Sequence, residues 1–106
     1  MAGNLDNVTV THNEAAARFE MLVDGLRAVL TYRRFPDGIV FLHAEVPPSL
    51  EGRGLAGKLT SFALDYARAK HLRVVPRCPY VSSFIRKHAE YQDLVSAEDL
   101  QKLLSS

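Results

Sequence analysis

The sequence predicts a mixed α/β (α+β) fold: a mostly antiparallel sheet, a long helix after the fourth strand, and a parallel pairing of strands four and five. Three observations carry this. Turn dipeptides separate β-rich runs as far as Val46, helical spacing begins at Gly54, and a proline-bounded apolar run, Leu72–Val75, supplies a returning strand.

The strands are expected at Val8–His12, Arg18–Val23, Leu26–Arg34 and Ile39–Val46. Asp24-Gly25 supplies the positive φ angles of a tight hairpin turn, and Pro36-Asp37-Gly38 does similar work before the fourth strand. From Gly54 onward, Leu55, Leu59, Phe62, Ala63 and Tyr66 recur at three- and four-residue spacing, with Lys58, Ser61, Asp65 and Arg68 opposite. That is an amphipathic helix of about four turns. Pro76 and Pro79 forbid a long helix after Leu72–Val75, but Pro79 suits the first position of a new one carrying Phe84 and Ile85 inward. A closing helix starts at Ser96, capped through Asp99.

One domain is expected over residues 1–106. The formal net charge of +1, with both signs interspersed, excludes broad attraction to nucleic acid or a membrane surface. No apolar run approaches the ~20 residues of a membrane span, and Met1–Asn7 lacks the order of a signal peptide, so a cytoplasmic location is expected. The single cysteine, Cys78, excludes an intramolecular disulfide and a thiolate-built zinc site. His12, His71 and His88 have no shared helix face and read as surface or capping residues, so no metal is expected.

The segment from Val46 to Leu59 joins a strand to the long helix with Gly52 and Gly54 ahead of the helix start. Exposed backbone N–H groups and the helix dipole together make a cradle for a phosphate or pyrophosphate. Ala56 and Gly57 keep the first turn small. Gly52-Arg-Gly-Leu-Ala-Gly57-Lys58 also has the spacing of a nucleotide P-loop, but Leu59 stands where a magnesium-ligating Ser or Thr is required.

The stretch Glu51-Gly-Arg-Gly54-Leu-Ala56 resembles motif A of the GCN5-related N-acetyltransferases, with Glu51 where that family prefers Gln or Arg. His43-Ala-Glu-Val-Pro47, Pro76-Arg-Cys-Pro-Tyr-Val81 and Phe84-Ile-Arg-Lys-His-Ala-Glu-Tyr91 extend the resemblance over roughly Ile39–Val95, closest to a minimal branch of that superfamily. The resemblance implies acetyl-coenzyme A with its pyrophosphate on Gly52, Arg53, Gly54, Leu55, Ala56, Gly57 and Lys58, and its pantetheine arm along the strand ending at Val46. Ser83 and Lys87 are expected to help hold the adenosine end.

Along Ile39–Val46 the even positions are apolar, while Ile39, Phe41, His43 and Glu45 form a face that turns polar toward the loop. His43 or Glu45 suits a base that deprotonates an attacking amine. Cys78, before the second helix and next to Arg77, is in this resemblance a catalytic group near the thioester, which opens a covalent route beside direct attack. The expected activity is acetyl transfer to a primary amine: a protein lysine, a polyamine or a small metabolite. A non-catalytic coenzyme A-binding or protein-interaction module is the alternative, and a monomer and a homodimer both fit.

Overall fold

A computed structural model of the chain describes residues 9–105. Five strands form one sheet in sequence order: β1 (Thr11–Asn13), β2 (Arg18–Val23), β3 (Leu26–Phe35), β4 (Gly38–Glu45) and β5 (Arg73–Pro76). The first three junctions are antiparallel, and β4 pairs with β5 in parallel. A parallel neighbour needs a crossover, and α1 (Leu55–Ala69) provides it. The helices α2 (Pro79–Lys87) and α3 (Ala97–Leu104) follow, separated by a 3-10 segment at Ala89–Leu94. The expected mixed sheet and its parallel pair are therefore present. Val8, at the head of the expected first strand, lies outside the described residues, as does Met1–Asn7.

Local chemistry explains the junctions. Asp24 and Gly25 adopt φ of 53° and 77°, so Val23 meets Leu26 directly across a two-residue turn. Pro79 opens α2 where its missing N–H costs nothing. Ser96 Oγ accepts the Asp99 N–H at 3.1 Å, the cap expected of α3, an arrangement worth ~1 kcal/mol.

The core face of α1 consists of Leu55, Leu59, Thr60, Ala63, Leu64 and Ala67. This corrects the expected stripe at Phe62, which is 41% exposed and meets Phe19 only edge-on. Thr60 sits in the apolar face because its hydroxyl donates to the Ala56 carbonyl at 2.7 Å. Phe19, Met21, Leu30, Ile39 and Phe41 meet these residues from the sheet. The 3-10 segment is held to α1 by the Tyr91 hydroxyl donating to Asp65 at 2.9 Å and by a two-pronged Arg68–Asp93 ion pair.

His12 departs from its expected surface role. Its ring stacks on Phe19 at 4.3 Å, meets Tyr66 edge-on at 4.5 Å and shares a 2.6 Å hydrogen bond with the Tyr32 hydroxyl. His88 does cap: its Nδ1 lies 2.7 Å from the Phe84 carbonyl at the end of α2.

Candidate functional site

An irregularity in β4 decides what the site presents. Thr31 pairs with His43 and its neighbour Tyr32 pairs with Phe41, which leaves Leu42 as an extra residue. Before this bulge Ile39 and Phe41 face the core, both fully buried. After it, Ala44 and Val46 pack inward, and His43 and Glu45 are exposed. The single odd-numbered face read from the sequence is thus split in two, because one extra residue reverses the alternation.

The parallel pairing of β4 and β5 stops at Phe41 and Pro76. The chain then turns away, with the Cys78 N–H donating to the Phe41 carbonyl at 2.9 Å. From His43 to Glu45, β4 is paired with β3 alone among the described residues. Its other edge opens toward the loop that follows.

That loop passes through a short 3-10 turn, Pro48–Leu50, to Gly52 and Gly54 at φ of 85° and 77°. Both values lie in the left-handed region that suits glycine. Gly54 takes the N-cap position of α1 without any side-chain cap, so the first N–H groups of the helix have no side-chain acceptor there. They border a cavity of about 190 Å³ lined by Val46, Leu50, Glu51, Gly52, Gly54, Leu55, Ala56 and Tyr80. Five of the residues expected to hold the cosubstrate, Val46, Gly52, Gly54, Leu55 and Ala56, therefore come together there.

The remaining expected residues are placed otherwise. Arg53 turns its guanidinium to Asp24 at 3.3 Å. Gly57 lies beside the cavity, with the Tyr80 hydroxyl and the Phe84 ring above it. Lys58 borders a different hollow, with Ser61, Phe62 and Asp65. On α2, Ser83 is half-buried and Lys87 exposed, and neither lines the cavity. Cys78 is only 2% exposed and belongs to the hydrophobic core.

Tyr80 carries no role in the sequence reading, although its segment, Cys78-Pro79-Tyr80, was part of the motif. The available signal was helical: an aromatic one residue after a helix-opening proline points back across the helix start. It is the one lining side chain with an O–H or N–H to give, since Glu51 has only carboxylate oxygens. Partial burial raises the phenol's pKa above 10.0, which keeps its proton in place at neutral pH. Among the described residues no group of three or more His, Cys, Asp and Glu side chains is arranged to hold a metal ion.

Comparison with known proteins agrees with this geometry. The family model of the GCN5-related N-acetyl-transferases matches residues 18–94. The chain is 34% identical over 84 residues to Protein NATD1 of Bos taurus, covering 76% of this chain and 74% of that protein. It is 32% identical over 84 residues to Protein NATD1 of Homo sapiens, with 76% and 74% covered. Protein NATD1 of Danio rerio is 29% identical over 91 residues, with 81% and 83% covered.

Proposed function

Since the chain belongs to the GCN5-related N-acetyltransferase family, we propose that it transfers an acetyl group from acetyl-coenzyme A to a primary amine. The observation that carries this reading is the cavity at the start of α1, where uncapped backbone donors and the Tyr80 phenol converge beside the open edge of β4.

The residues present fit a pyrophosphate-bearing thioester. A β-carbon at Gly52 would meet nothing within 4 Å, so the loop is open above its backbone. The helix dipole adds about half a positive charge at the cradle. Beyond Phe41 the unpaired edge of β4 offers backbone groups to an arm that carries amides, in the manner of an added strand. Glu51, exposed at the rim, opposes the anion and weakens binding unless it swings to solvent.

Acetyl-coenzyme A supplies an activated acyl carbon. Transfer forms an N–C bond to the amine and breaks the C–S bond, so the amine loses a proton and the departing sulfur gains one. His43 and Glu45, exposed on the outward face of β4 beyond the bulge, accept the amine's proton directly or through water. Tyr80 gives its proton toward the sulfur. The burial of Cys78, 2% exposed within the hydrophobic core, supports direct transfer over an acyl-cysteine route, which needs an accessible Sγ. The acceptor is a protein lysine, a polyamine or a small metabolite, and the short loops around the site leave room for each.

Thermal unfolding with and without acetyl-coenzyme A, against magnesium-ATP, tests the reading. A ligand at ~100 times its dissociation constant stabilises by ~2.7 kcal/mol. Stabilisation by acetyl-coenzyme A alone, with turnover on an amine panel, is expected. Stabilisation without turnover on any amine would favour the non-catalytic binder, and no shift would end both readings.

A further inference from the structure

A second concave surface, lined by charged residues, lies on the other side of α2. Tyr80 and Phe84 turn toward α1, while Ser82 and Arg86, about 100° per residue further round, turn toward α3. There a second cavity of about 400 Å³ opens, between the end of β5, α2 and α3. Its floor is apolar, from Val75, Pro76 and Leu103, and its charged lining is Arg77, Arg86, Lys102 and Asp99. Asp99 is the one carboxylate among these lining residues, beside the two arginines Arg77 and Arg86.

Arg18, Arg27, Arg53, Arg68 and Arg73 each lie within 4 Å of a carboxylate oxygen, whereas Arg33 and Arg34 on β3 have no such partner among the described residues. Arg77 makes no ion pair or side-chain hydrogen bond among the described residues, although Asp99 lines the same cavity. Arg86 makes one hydrogen bond, from Nη1 to the Leu103 carbonyl at 3.3 Å, which anchors its guanidinium beside the cavity and leaves its other donors unengaged by the described residues. Two arginines whose guanidinium groups have no carboxylate partner among the described residues thus line one concave surface. Guanidinium is planar and forked, and binds carboxylate or phosphate oxygens in pairs.

We propose that this cavity is a second ligand site, for a small organic dianion whose oxyanion groups pair with Arg77 and Arg86 over the apolar floor. Its volume falls in the usual range of small-ligand pockets. The floor suits a short carbon chain between two charged ends, so a dicarboxylate uses the whole cavity and a phosphate its charged rim. The site is independent of the acetyl-transfer reading, because the first turn of α2 separates it from the cradle at Gly52–Ala56.

The test is an NMR titration of the ¹⁵N-labelled full chain at low salt with glutarate and, separately, inorganic phosphate, repeated with acetyl-coenzyme A present. Saturable shifts are expected at the amides of Val75, Arg77, Ser82 and Leu103, with the amides of Gly52, Gly54 and Ala56 unmoved. The Arg77→Gln/Arg86→Gln double variant should weaken glutarate binding by ~10-fold or more, and Asp99→Asn should tighten it several-fold by removing the opposing charge. Acetyl-coenzyme A should titrate the double variant as it does the wild type. Shifts that never saturate, that fall on the cradle amides alone, or that survive unchanged in the double variant would overturn the proposal. Arg77→Gln alone serves if the double variant unfolds. Saturation by phosphate but not glutarate would overturn the role given to the apolar floor.

Discussion

The Tyr80 hydroxyl stands over Gly57, 3.3 Å from the point a β-carbon on that glycine would occupy. The contact couples the first turn of α1 to the first turn of α2 at the rim of the cradle. A methyl group at this position would be tighter than most β-carbon contacts, so the ring must give way.

Gly57→Ala is expected to leave stability within about 1 kcal/mol of the wild type, because the helix gains from losing a glycine what the contact costs. The displaced phenol should nevertheless raise the dissociation constant for acetyl-coenzyme A several-fold. Calorimetric titration beside a melting curve separates the two effects, and unchanged binding would show that Tyr80 does not shape the cradle.

Tyr80→Phe removes a hydroxyl that has no hydrogen-bond partner among the described residues, so the melting temperature should not fall. If the phenol protonates the departing sulfur, kcat drops by on the order of 10²-fold while coenzyme binding changes little. Single-turnover kinetics with a saturating amine would read this directly.

The two transfer routes separate on two variants. Cys78→Ala costs on the order of 1 kcal/mol for the small cavity it leaves and is expected to retain most of the turnover. His43→Ala or Glu45→Gln should lower kcat at neutral pH, and a more basic assay, where more amine is already deprotonated, should recover part of the loss. Abolished turnover in a folded Cys78→Ala protein would restore the covalent route.

Burial lowers the pKa of His12, with Arg34 and Lys70 adding to the shift and Glu14 opposing it. The unfolded chain therefore binds this proton more readily than the folded one. Stability is fully present above about 6.5, the unfolded value, and falls as the pH drops below it, levelling off only under the folded value. Glu20 and Asp93, whose pKa values are depressed mainly by their arginine partners Arg18 and Arg68, lose their contribution only below pH 4.5, in a separate window. Denaturation midpoints between pH 5 and 7.5 should slope in the wild type and flatten in His12→Gln.

Gly54→Ala places a side chain at φ of 77° on the N-cap of α1. It should destabilise by about 1 kcal/mol and weaken acetyl-coenzyme A binding by more than that strain alone would. Arg53→Ala should leave binding nearly intact, since the arginine's side chain pairs with Asp24 and only its backbone belongs to the loop.

Much of the architecture is local and so was legible in the chain itself. Asp24-Gly25 dictates its hairpin because only its φ angles matter, the period change at Gly54 announces α1, and Pro79 and Ser96 open the last two helices as expected. The glycine loop ahead of α1 was also legible, because positive φ at Gly52 and Gly54 and a helix start without a side-chain cap depend on glycine and not on distant residues. Other features depend on contacts between parts far apart in sequence. Phe62 shares the helical spacing of the core, yet only the sheet beneath decides that it stays exposed while Thr60 and Leu64 are buried. His12 reads as a surface residue until Phe19, Tyr32 and Tyr66 close around it. The bulge at Leu42 arises from pairing with β3, and it alone sends His43 and Glu45 outward while Ala44 and Val46 turn in. Tyr80 reaches the cradle only because α2 docks beside α1. Sequence determined the elements, through backbone angles and periodicity, whereas side-chain direction at the site was decided by strand register and helix docking, which are properties of the packed chain.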